Sequence, residues 1–189
     1  MSLERDRLTA PEEESPEFVL DTRIRREERR SQHGEMLLVL VVVATVTYLL
    51  FGVVFGLAVV KGSSMNPAYR EGDVVLFLRL CGHYRQGDVV FADLDEYECV
   101  KRIVAVPGQT VDIDEEKGAL LIDGEPLIEP YTYTKTDAKP EVSYPLVTGE
   151  DEYFLLGDNR RNSVDSRNYG PIAREDLDGK AIFIFRIQK

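Results

Sequence analysis

Ser63 and Ser64 stand side by side in the string Lys61-Gly62-Ser63-Ser64-Met65-Asn66-Pro67. A serine hydroxyl becomes a useful nucleophile only when a nearby base takes its proton. Histidine is the usual base, and this chain holds two, His33 and His83. His33 precedes a long apolar run, and His83 lies in Cys81-Gly82-His83-Tyr84-Arg85-Gln86-Gly87, which reads as a loop between strands. Two histidines cannot build a histidine metal cluster, and Cys81 and Cys99 lack zinc or haem spacing. Neither a metal nor a cofactor is expected. A Cys81–Cys99 disulfide is left open, with Cys99 packed as a small apolar side chain as the alternative.

Lysine is the other base a serine hydrolase can use. Its amine titrates near ~10.4 in water, so it serves only where desolvation or a neighbouring cation keeps it uncharged. Lys101 falls in a run with strand alternation: Cys99, Lys101, Ile103 and Ala105 on one face, Val100, Arg102, Val104 and Val106 on the other. Both faces are mostly apolar, which would bury the amine. An edge strand with Lys101 turned to solvent is equally compatible with the pattern. Arg102, on the opposite face, suits a structural ion pair.

These residues need elements to hold them. Met36 to Val60 carries no charged side chain, and as a helix rising about 1.5 Å per residue it crosses a hydrocarbon core of about 30 Å. One transmembrane helix is expected over 36–60, after a charged cytoplasmic tail over 1–35 and before an extracytoplasmic domain over 61–189. Ser64 follows the run by four residues, a reach of about 14 Å, which sets its hydroxyl near the bilayer surface. Arg23, Arg25, Arg26, Arg29 and Arg30 precede the run, while Lys61 and Arg70 follow it, so the amino end faces the cytoplasm. The formal net charge of −11 argues against nucleic acid as a partner.

Beyond the run the periodicity is that of strands. Val74–Leu80, Asp88–Asp93, Tyr97–Val106, Thr110–Asp114, Ala119–Ile122, Glu152–Leu156 and Lys180–Ile187 are short, rich in Val, Ile, Phe and Tyr, and bounded by Gly, Pro and Asp. An all-β domain follows. Asp123-Gly124 is a two-residue hairpin signal, so Val111 to Ile128 should form a β-ribbon within an insertion around 110–149. Pro130 to Gly149 reads as an irregular connection.

Four strings occur in one order: Ser64-Met65-x-Pro67, Gly72-Asp73-x-Val75, Lys101-Arg102-x-x-x-x-Pro107-Gly108, and Gly157-Asp158-Asn159-Arg160-x-Asn162-Ser163-x-Asp165-Ser166-Arg167. Behind an amino-terminal apolar run, they resemble the successive boxes of bacterial type I signal peptidases. The resemblance covers Lys61 to Lys189 and implies the all-β signal-peptidase fold and a membrane-anchored serine endopeptidase. It implies Ser64 as nucleophile, because the family's serine directly precedes the methionine, and Lys101 as general base. Ser163 would orient the lysine amine. Asp165 and Arg167 would form an ion pair, with Asp158 and Arg102 supporting the same region. The oxyanion would rest on the Ser64 backbone N–H, since Gly62 stands where some members place a hydroxyl donor.

Substrates implied by the resemblance are secretory precursors whose leader ends in small residues at the third and first positions before the cut. They would lie extended between the strands around Ser64 and Lys101, with Met65 near the first small pocket and the bilayer as a second partner. Ala68, Ala105, Gln109 and Arg161 depart from the residues usual at those places, and none removes a reacting atom. Two other readings start from the same fold. A non-catalytic assembly or scaffold relative would lack the serine or lysine, and a self-cleaving Ser/Lys repressor would need a DNA-binding module and no membrane anchor.

Overall fold

The computed structural model describes residues 16–94 and 97–186. Two compact units divide the chain, one ending at Thr47 and one beginning at Tyr48. The first holds all but the last two residues of α1 (Pro16–Leu49), which carries most of the apolar run, and a π-helical turn, Leu50–Val54, ends the helix. Among the described residues one helical stretch, His33–Val54, is long and apolar enough to cross a membrane, and none of its most apolar window is buried. Its 22 residues span about 33 Å.

The expected helix over 36–60 stops short, because Phe55–Val59 is a strand, β1. It pairs antiparallel with β2 (Val74–Leu78) from Phe55↔Leu78 to Val59↔Val74. Apolar character does not distinguish a buried strand from a membrane helix, and here a partner strand decides. Gly56 suits this pairing because the Phe77 ring occupies the space a Cβ would need. Ten residues, not four, therefore separate the helix end at Val54 from Ser64.

The strands that follow are β3 (Val89–Leu94), β4 (Tyr97–Ala105), β5 (Thr110–Asp114), β6 (Ala119–Ile122), β7 (Glu125–Pro126), β8 (Leu146–Val147), β9 (Glu152–Leu156), β10 (Ile172–Ala173) and β11 (Leu177–Phe185); a one-turn helix, α2 (Ser166–Tyr169), precedes β10. The larger sheet runs β1-β2-β11-β3-β4-β9-β10 and the smaller β7-β6-β5-β8, which makes the domain all-β as expected. The Asp123-Gly124 hairpin joins β6 to β7 with both residues at positive φ, 53° and 85°. Most of Pro130 to Gly149 is irregular, but Leu146–Val147 joins the small sheet beside β5.

Alternating apolar residues fill three clusters. One lies over β3, β4 and β9 and includes Val90, Ile103 and Leu155. A second lies between the sheets, around Val104, Val111 and Phe154. The third, Val60, Val75, Phe77 and Phe91, packs beneath the serine loop. On β1 and β11, Leu57, Val59, Phe183 and Phe185 are instead exposed, in the shared rows Leu57-Leu76-Phe183 and Val59-Val74-Phe185.

Two strand edges matter for the site. β1 ends the larger sheet, so its outer edge is unpaired there. β4 pairs with β3 over 97–102 and with β9 only over 102–105, so among the described residues 97–101 keep one edge free.

Candidate active site

Leu57 to Val60 and Glu98 to Lys101 line one cleft of about 740 Å³. Three strands separate β1 from β4 in the sheet, so the sheet curls enough to bring its two free edges to the same opening. Ser64, Met65 and Val164 line it beside them, with Lys61 and Phe91. Met65 is buried at 1 % exposure and forms part of the wall.

Lys101 is buried at 4 % exposure, which decides between the two sequence readings of its strand. Its Nζ donates to Ser64 Oγ at 3.3 Å and to the Val100 carbonyl at 3.2 Å. Ser63 turns elsewhere: its Oγ accepts from Asn162 Nδ2 at 2.5 Å and its carbonyl from Asn159 Nδ2 at 3.1 Å. Gly62 has φ +78° with open space around it, so the backbone, not crowding, favours glycine there. His83 is exposed and does not line the cleft. Cys81 and Cys99 are both free, and burial pushes the Cys99 thiol up, away from thiolate chemistry.

Ser163 differs from the expectation. Its Oγ is buried and makes no hydrogen bond, and the lysine amine uses the Val100 carbonyl as its second acceptor. The hydroxyl packs against the Cα of Gly157, where an added Cβ would collide with Ser163 and come within 2.6 Å of the Ser64 carbonyl. Gly157 is thus one point at which the Ser64 loop and the segment after β9 touch. The Asn159 N–H donates to the same Ser64 carbonyl at 2.9 Å.

Charged groups hold that segment. Arg102 Nε and Nη2 donate to Asp158 at 2.8 and 2.7 Å, and its guanidinium lies 4.0 Å from the centre of the Tyr131 ring. Asp165 and Arg167 form a buried pair with bonds of 2.8 and 3.0 Å. Asp165 also caps α2 and accepts from the Gly157 N–H at 3.0 Å. Asp73 pairs with Arg186, which also donates to the Ala68 carbonyl. Hydrogen bonds from Arg186 hold the Asp73 carboxyl below the usual carboxylate range.

Sequence reasoning assigned no role to Asn159 and Asn162, whose only signal was membership of the polar run, nor to Arg186, which carried none. Among the described residues no group of three or more His, Cys, Asp or Glu is arranged to hold a metal ion.

An alcohol in hydrogen-bond contact with a buried primary amine, on the wall of a cleft between strand edges, has the parts of a serine hydrolase that works without histidine. Comparison with known proteins agrees with that class. The family model described as signal peptidase, peptidase S26, matches residues 33–186. Signal peptidase I S of Bacillus subtilis (strain 168) is 32% identical over 158 residues, covering 77% of this chain and 85% of the relative. Signal peptidase I of Bacillus licheniformis is 34% identical over 139 residues, covering 67% and 74%. A crystal structure of a signal peptidase I from Enterococcus faecalis V583 aligns with a TM-score of 0.44 and 26% identity over 52% of this chain and 96% of that one. The chain belongs to the signal peptidase family, peptidase S26.

Proposed function

We propose that this protein is a membrane-anchored endopeptidase that removes amino-terminal leaders from secretory precursors, with Ser64 as nucleophile and Lys101 as general base. The observation that carries the reading is the 3.3 Å contact between a buried lysine amine and the Ser64 hydroxyl. In its uncharged form Lys101 takes the Ser64 proton as Oγ attacks the scissile carbonyl, and it returns the proton to the leaving amine. The Ser64 N–H, which bonds no described group, is available to the oxyanion. Ser163, with a buried and unpartnered hydroxyl, is the group left to orient the amine once substrate enters. Water then releases the acyl-enzyme.

An extended peptide fits the cleft because both walls offer free strand edges, so main-chain hydrogen bonds can form on either side. Val60, Met65 and Val100 make the wall beside Ser64 apolar, which suits small uncharged side chains before the cut. The bilayer is the second partner: α1 has the length to span it, and the exposed face of Leu57, Val59, Phe183 and Phe185 begins three residues after Val54. The arginines before the apolar stretch put the amino end in the cytoplasm and the catalytic domain outside.

The scaffold alternative is disfavoured by the same contact, since a non-catalytic relative has no need of a buried amine on a serine. The test is cleavage of a secretory precursor by the full chain in detergent. Cutting is expected after an Ala-x-Ala-like site, and Ser64→Ala or Lys101→Ala should each reduce it by at least about 10³-fold. Full activity in the Lys101→Ala protein would rule out the dyad.

A further inference from the structure

The irregular stretch after β7 supplies partners to three of the arginines around the site, Arg102, Arg160 and Arg167. Tyr131 stacks on Arg102, and the Asp137 carbonyl accepts from Arg167 at 3.3 Å. Arg160 is buried, at 2 % exposure. Its two terminal nitrogens donate to both carboxylate oxygens of Glu129, one at 2.9 Å, and one of them also reaches the Thr136 hydroxyl. Tyr131 donates to the same carboxylate at 3.0 Å. The remaining nitrogen, Nε, donates to the Gly157 carbonyl at 3.0 Å. Gly157 is thereby held at both ends, its N–H by Asp165 and its carbonyl by Arg160, at the place where Ser163 and the Ser64 carbonyl meet.

We infer that Glu129, outside every motif of the chain, is a positioning residue for the catalytic centre, acting through Arg160 and Gly157. A planar guanidinium gripped by a carboxylate on one side has a single orientation, and that orientation sets where its Nε points. Without the grip Arg160 is free to turn, the Gly157 carbonyl loses its fixed donor, and the Ser163 hydroxyl and Ser64 loop lose their common support. A displacement of this kind lowers turnover more than binding, because the strand edges that hold the peptide lie elsewhere in the cleft.

The inference rests on Ser64 and Lys101 as the dyad, and the experiment separates the two. Glu129→Ala and the milder Glu129→Gln and Thr136→Val are assayed with a leader peptide across its concentration range, beside Ser64→Ala. Glu129→Ala should lower kcat by about 10²-fold and Glu129→Gln by about 10-fold, with KM within about twofold. Combined with Ser163→Ala, Glu129→Gln should cost less than the product of the single effects, because both act on one support. A fall in melting temperature with kcat unchanged, or effects that simply multiply, would overturn the inference while an inert Ser64→Ala left the dyad standing. If Glu129→Ala does not fold, the Gln and Val variants carry the same test. Activity surviving in Ser64→Ala would remove the dyad itself.

Discussion

At the scale of single residues, the site depends on contacts that a one-carbon change would upset. Gly157 has no room for a side chain between Ser163 and the Ser64 carbonyl. Gly157→Ala should therefore lower kcat/KM by about 10²-fold, read with a leader peptide, although neither Ser64 nor Lys101 is itself altered. Wild-type activity in that variant would mean that the Ser64 loop tolerates being pushed. Lys101 was legible in the sequence as a lysine among apolar neighbours, but whether it faced the core or water was not, since alternation names a face without saying what covers it. The Ser163 hydroxyl lay in a recognisable run, yet its lack of a partner is a matter of distances that no spacing encodes. Glu129 and Arg160 are 31 positions apart and joined only by the fold.

At the scale of elements, several strands were legible because local chemistry bounds them. Thr110–Asp114, Ala119–Ile122 and Glu152–Leu156 begin and end as expected, each flanked by Gly, Pro or acidic residues. β1 was not legible, because Phe55–Val59 continues an uncharged run and only its pairing with β2 makes it a strand. The far end of β11 reaches the serine loop through Arg186 and Asp73, a link that gives the domain a pH dependence. The hydrogen bonds from Arg186 depress the Asp73 carboxyl, so the pair's contribution is complete above the ordinary carboxylate range, near ~4, and fades as pH falls through the lower folded value. Denaturant unfolding from pH 6 to 2 should show stability dropping below about pH 4. Asp73→Asn should flatten that part of the curve, and an unchanged slope would show that other carboxylates govern it.

At the scale of the whole molecule, the chain has a helix with a membrane-length apolar stretch and a β domain that holds Ser64 and Lys101. With the arginines inside, protease added to intact cells should cut the β domain and spare the tail, read with antibodies to each end. The reverse pattern would invert the topology and remove the proposed access to precursors emerging from the membrane. The open edge of β4 at 97–101 bears on the breadth of what such a protein processes. Strand edges read the main chain, which is common to every polypeptide, so in the proposed mode of binding they would grip a leader without regard to most of its side chains. Tolerance of sequence then carries a demand on shape. A segment still wound as a helix keeps its N–H and carbonyl groups for itself and offers the cleft nothing to pair with, so each precursor must unwind around its cut site before it can be released.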